Sequence, residues 1–310
     1  MRLSCIVSLA AGVLSAIASE GTAQGPNVEI LAEYPPGNFL ENLDVLSDGR
    51  VVFTSYFAKT IEILDNRGTA STLAHVSAHP VSILSIEGGF LVAAHGQPFT
   101  SGPAFVETQQ FLLLDAAGRE LAMFKAPEAR FLNGMVHSGA TILVADSMAG
   151  KIWQVDAKAR SVRAWLSDAA LAPDPSVKEF RPGANGLKRQ GEHLVVSNSS
   201  RGALATIVVD SRGAPTGQLM ELAKVGPIDD FVIGPSGEII FATHGATVKR
   251  RASDGTVTTI LPSGGDGSTA VALVKRSDAT DALLVLTTGR FSEGGREPAR
   301  VLRIDYTTSK

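Results

Sequence analysis

One strand-like run recurs along this chain about every 40 to 50 residues, the period that a β-propeller blade produces and that a β-sandwich does not require. The runs are VVFTS (Val51–Ser55), LVAAH (Leu91–His95), ILVADS (Ile142–Ser147), LVVSNS (Leu194–Ser199), IIFATH (Ile239–His244) and LLVLTT (Leu283–Thr288). They are rich in β-branched residues, and Gly-containing turns such as Ser47-Asp48-Gly49, Pro235-Ser236-Gly237 and Ser253-Asp254-Gly255 close hairpins around them. Six such units predict an all-β, six-bladed β-propeller with blades near 40–75, 79–125, 131–167, 183–223, 227–261 and 267–305. The segment Val28–Tyr34 lies before the first unit and alternates as a strand, so pairing it with the last unit would close the ring without a free edge. Only Ala164–Leu171 offers helical periodicity, and Pro173 and Pro175 stop it.

In a propeller the innermost strands line a central channel, so matching positions of successive blades meet in space. At the start of those strands stand Glu41-Asn42, Asn133-Gly134, Asn185-Gly186 and Asp229-Asp230. Glu41 and Asp229 precede the turn glycines Gly49 and Gly237 by one spacing, Asn133 and Asn185 precede Gly139 and Gly191 by another, which supports a shared register. Carboxylate and amide oxygens meeting at one point are hard ligands that suit a divalent cation such as Ca²⁺, Mg²⁺ or Mn²⁺. The same residue types also fix turns by bonding to neighbouring backbone.

Residues 1–23 read as a secretory signal peptide: Arg2 starts it, an apolar stretch follows to Ala18, and small residues offer a cleavage site. The expectation is one exported domain over residues 24–310, periplasmic or secreted, with no membrane insertion after processing. Cys5, the one cysteine, falls in the leader, which removes disulfide and thiol chemistry from the rest. With 28 basic and 31 acidic residues the chain lacks the basic footprint of a nucleic-acid binder. A small molecule is the expected partner, and the sequence leaves the oligomeric state open.

His95 and His244 end equivalent strands, so both are candidate acid-base groups on one face; His79 stands where other blades offer Asn or Asp and would complete the polar ring. Asp146 and Asn198 follow Asn133 and Asn185 by one spacing and would orient them by hydrogen bonds. Two long connections, Gln97–Gln110 and Asp168–Gly183, would form an apolar lid if they rise on the same face. There is no Gly-x-Ser-x-Gly elbow and no His-Glu-x-x-His motif.

The segments GANGLKRQGEHLVVSNS, PIDDFVIGPSGEIIFAT, LENLDVLSDGRVVFTSYFAKTIEILD and ARFLNGM together resemble the superfamily of gluconolactonase and senescence marker protein (regucalcin). That resemblance implies a lactone hydrolase with one divalent cation (Ca, Mg, Mn or Zn) on Glu41, Asn185 and Asp229. It further implies Asp229 as the residue that handles water, and Arg130 and Asn133 at the substrate; Asn42, next to Glu41 at its strand start, is a further substrate-binding candidate. The chain departs from the pattern at Asn42-Leu43 and at Asp230-Phe231, so either Asp229 or Asp230 faces the axis. The combination of FLNGM, GANGLK and DDF also looks like a divergent, mainly fungal branch that includes hetero-Diels–Alderase-type cyclases. Three functions follow as expectations: a cation-assisted lactonase, a metal-free cyclase or isomerase in the same cup, and a non-catalytic envelope binding or scaffold protein whose polar ring is structural.

Overall fold

The computed structural model describes residues 26–275 and 281–306. The expected leader, with Cys5, lies outside the described residues. Six four-stranded antiparallel sheets span residues 40–75, 79–125, 132–167, 184–224, 231–261 and 268–305, the last completed by Val28–Tyr34. These match the predicted blades to within a few residues. Val28–Tyr34 runs antiparallel to Ala299–Asp305 as the outermost strand of blade 6, so the chain's first described strand locks its last blade. No helix among the described residues is long and apolar enough to cross a membrane.

Alternation along each strand puts apolar side chains between neighbouring blades. One cluster joins Leu91 and Phe111 of blade 2 to Leu132 and Trp153 of blade 3; another joins Leu40 and Phe53 of blade 1 to Leu284 and Val301 of blade 6. The remaining clusters fill the other four inter-blade spaces. Full burial of each such side chain contributes about 1.5–3 kcal/mol, which makes the closed ring, rather than any one sheet, the stable unit.

The helical expectation for Ala164–Leu171 was wrong. Ser161–Ser167 is the outer strand of blade 3, and only Ala169–Leu171 turns, as a short 3₁₀ segment capped by the Asp168 side chain. Pairing with Lys151–Asp156 outweighed local propensity. Trp153 is buried between blades, and the Trp165 indole donates to the Gly213 carbonyl at 2.7 Å.

The innermost strands carry the feature that shapes the channel. In blades 1, 2, 3, 4 and 6 the pairing of the inner strand slips near its start, between Leu40 and Leu43, Pro80 and Ser82, Leu132 and Met135, Ala184 and Leu187, and Ser268 and Val271. Such a bulge adds a residue and re-aims side chains at the place where strands converge. Glycine then lets neighbouring blades touch: a Cβ on Gly134 would lie 2.6 Å from the Asn185 carbonyl, and one on Gly186 2.3 Å from Asp230 Oδ1. The Asn-Gly pairs are therefore packing signals as well as polar ones.

Candidate functional site

At one mouth of the channel the bulged strands form the floor of a cavity of about 570 Å³. Glu41 and Asn133 reach it from inner strands, while Ser199, Thr243, His244 and Thr288 reach it from the ends of the second strands. Asn185 and Asp229 lie directly beneath. The Asn185 amide donates to Ser199 Oγ at 3.0 Å and to Asp229 Oδ1. His244 Nε2 lies 2.9 Å from Asp229 Oδ2, an ion-pair contact without the alignment of a hydrogen bond. The His244 backbone has φ of 58°, a left-handed conformation that costs a non-glycine residue about 1–3 kcal/mol and is held here by its N–H bond to the Ser268 carbonyl. The surrounding structure thus fixes the imidazole over Asp229.

Glu41, Asn185 and Asp229, drawn from blades 1, 4 and 5, gather as the register predicted. Glu41 Oε2 and Asp229 Oδ2 are both buried oxygens without a hydrogen-bond donor. Burial, then the charges of Asp229 and Asp230, push the Glu41 carboxyl well above its ordinary range. Burial also raises Asp229, against the opposing pull of His244 and Asn185. Burial acts to lower His244, but the Asp229 carboxylate outweighs it and the imidazole ends above its usual value. Two acidic groups this deep cannot both ionise without a counter-charge, so the floor holds either a proton or a cation. The orphaned oxygens fit a hard divalent ion on Glu41 and Asp229, with the amide oxygen of Asn185 as third donor once that amide is turned. Among the described residues no group of three His, Cys, Asp or Glu side chains forms a cation site, so an ion held here would need the amide as well.

Other expected site residues take different places. Asp230 faces away from the cup, where Lys188 Nζ holds its two oxygens at 2.7 and 2.9 Å; alternation along the strand therefore assigns the channel to Asp229. Asn42 is buried between blades, accepting from Ser82 Oγ at 2.9 Å. Arg130 is exposed and outside the cup lining; its backbone N–H, rather than its guanidinium, is used, donating to Asp146. Asp146 does not touch Asn133. It accepts from the N–H groups of Arg130, Phe131, Met148 and Ala149 and from the Trp153 indole, and so ties the turn after its strand. Asn133 bonds Ser147 Oγ instead, at 3.2 Å. Asn198 likewise leaves Asn185 alone and donates to the carbonyls of Ala170 and Ala172, pinning the long connection.

His79 and His95 pair across blade 2 but point between blades, not into the cup. His79 Nδ1 donates to the Tyr56 carbonyl at 3.1 Å, and burial lowers its pKa. His95 is completely buried; Nε2 donates to the Leu132 carbonyl at 3.3 Å, so Nδ1 accepts from the Tyr56 hydroxyl at 2.8 Å. Burial pushes His95 down to about 3. Since the unfolded chain binds this proton near pH 6.5 and the folded one does not, stability is present above that pH and is lost as pH falls toward 3. The expected loss is about 2–3 kcal/mol between pH 7 and 4.5. His95→Gln, which can keep both hydrogen bonds, should flatten that limb in urea titrations; equal pH slopes for both proteins would contradict the assignment.

Both long connections do rise over the floor. Phe99 comes from the first, and Glu179, Phe180, Arg181 and Pro182 from the second. Sequence reading missed Arg181 and the aromatic wall that also includes Phe39, Tyr56, Phe131 and Phe291. A signal was present: aromatic residues directly flank the polar strand starts and ends in Phe39-Leu40-Glu41, Ser55-Tyr56-Phe57 and Gly289-Arg290-Phe291.

Solved structures with this architecture include luciferin-regenerating enzyme, with a TM-score of 0.67 at 15% identity over 92% of this chain and 97% of that one. A calcium-binding regucalcin from Agrobacterium tumefaciens matches at 0.64, 16% identity, 92% and 97% coverage. A gluconolactonase from Xanthomonas campestris matches at 0.64, 14% identity, 90% and 89% coverage. The chain shares their fold. At these identities the likeness establishes the six-bladed scaffold and no more, and it gives no support to the cyclase branch. No family model and no curated protein sequence matches the chain.

Proposed function

We propose that this propeller is an exported hydrolase of a lactone or related small ester, acting in the cup above Asp229. The observation that carries the reading is the contact between His244 and Asp229 over a floor of orphaned carboxylate oxygens. It is supported by the fold shared with gluconolactonase and regucalcin. Glu41, Asn185 and Asp229 would hold a divalent cation, which when bound supplies Lewis-acid polarisation of the ester carbonyl.

The chain's own groups do the positioning and the proton work. Asn185 lies against one oxygen of the Asp229 carboxyl, and Asp229 positions His244 through the other. His244, facing the cup, takes a proton from the attacking water and returns it to the alkoxide that leaves as the ring opens. Asn133, fixed by Ser147, presents its amide to the substrate's oxygens. The two connections would overhang the bound substrate from above.

A cyclisation or isomerisation in a metal-free cup is the second reading, favoured by the aromatic walls. The two are separated by assaying acid release from a lactone panel with and without chelator. Cleavage that chelator suppresses supports the hydrolase; a panel left intact by protein supplied with Ca²⁺ and Mn²⁺ would contradict it.

A further inference from the structure

The floor and the walls of the cup differ in chemistry. Most polar groups of the lining lie on the floor, with Glu179, Arg181 and Ser292 on the surrounding loops, and several floor groups are already engaged: Ser199 Oγ accepts from Asn185, and one Asn133 N–H goes to Ser147. Above them the walls are rings. Phe39 meets Tyr56, Phe99 and Phe291 edge to face at 6.1, 5.7 and 5.2 Å, and Phe131 lies 6.4 Å from Phe99.

Phe180 is the decisive residue. It stands on the connection over the cup, 58% exposed, with its ring 5.7 Å from that of Phe131 and 26° from parallel. A half-exposed phenylalanine in a loop gains little for the fold, and an exposed apolar group rimming a cavity marks a contact surface. Through Phe131 it continues the run of rings that passes to Phe99 and Phe291, and together they line a slot with apolar walls and a polar base.

We infer that the substrate carries an aromatic or flat apolar body, held between these rings with only its ester end on the floor, and is not a polyhydroxylated sugar lactone. The ester end rests on the hydrolase reading; the apolar body does not. Each sugar hydroxyl turned toward the rings, away from Glu179 and Arg181, would lose water and find no partner, a cost of about 1–3 kcal/mol per group. An aromatic ring in the same place gains contact with ring faces and edges.

Binding is best measured apart from turnover, by calorimetry on the whole protein with two unreactive lactams: 5-phenyl-2-pyrrolidinone and the lactam of gluconic acid. The phenyl lactam is expected to bind at least tenfold more tightly. Phe180→Ser, at an exposed loop position that leaves the blades intact, should weaken the phenyl lactam about fivefold or more and leave the sugar lactam unchanged. Phe180→Trp should retain the preference. Equal affinity, tighter binding of the sugar lactam, no phenyl-lactam binding, or indifference to Phe180→Ser would each overturn the inference. The lactone assay fails separately: phenyl-lactam binding without ester cleavage removes the hydrolase and keeps the slot, whereas faster cleavage of glucono-lactone than of a phenyl lactone removes the slot and keeps the hydrolase.

Discussion

Asp229→Asn is expected to lower kcat for lactone cleavage about a thousandfold, with a far smaller change in KM. The amide keeps the size of the side chain and a carbonyl oxygen for Asn185, but it removes the charge that supports His244 and the buried oxygen at the floor. His244→Ala should cost about a hundredfold or more, because water can replace an acid-base group on the open side of the cup but not the carboxylate beneath it. The double variant should fall little below Asp229→Asn alone, as for residues that act as one unit. Initial rates by pH-stat check all three, with thermal melts to show that the blades remain folded. Variants within tenfold of the wild type would place the chemistry elsewhere.

The second large effect concerns the charge on the floor. A cation at a hundred times its Kd should stabilise the protein by about 2.7 kcal/mol, or a rise of about 5 °C in Tm for a chain of this size. Glu41→Gln should remove that rise. The sign of its pH dependence follows from Glu41, whose folded pKa is raised by burial and by its acidic neighbours. Metal-free protein keeps this group's contribution at low pH and loses it as pH climbs through the raised value, where a buried proton must leave without a replacement. A cation takes the proton's place, so the gain in Tm should be larger at pH 8 than at pH 5.5. A gain that is equal at both pH values, or that persists in Glu41→Gln, would show that the ion binds elsewhere.

The scaffold was legible because its signal is repetitive: six apolar runs with glycine turns allow one ring of sheets, and Val28–Tyr34 had no other partner. The centre of the site was legible for the same reason. Equivalent positions in a propeller converge, so Glu41, Asn185 and Asp229 could be placed together although they are far apart in the chain. What failed was the direction of single side chains. Alternation at the strand start turns Asp229 inward and Asp230 toward Lys188, and no property of two adjacent aspartates distinguishes them. His95 follows the same strand position as the end of the fifth run, yet it is sealed beneath Tyr56 while His244, one residue farther along its own turn and left-handed in backbone, looks into the cup. The aromatic wall escaped because its members come from loops and strand ends of different blades, where no periodicity connects them.

Two buried oxygens, Glu41 Oε2 and Asp229 Oδ2, lack a hydrogen-bond donor, and the proposed cation would sit between them at the channel floor. Crystals grown with Mn²⁺ and measured at its absorption edge test that placement directly. The expected result is a single strong anomalous peak bounded by Glu41, Asn185 and Asp229, absent in crystals of Glu41→Gln. A floor without a peak at saturating Mn²⁺, or a peak confined to the outer surface of the blades, would contradict it.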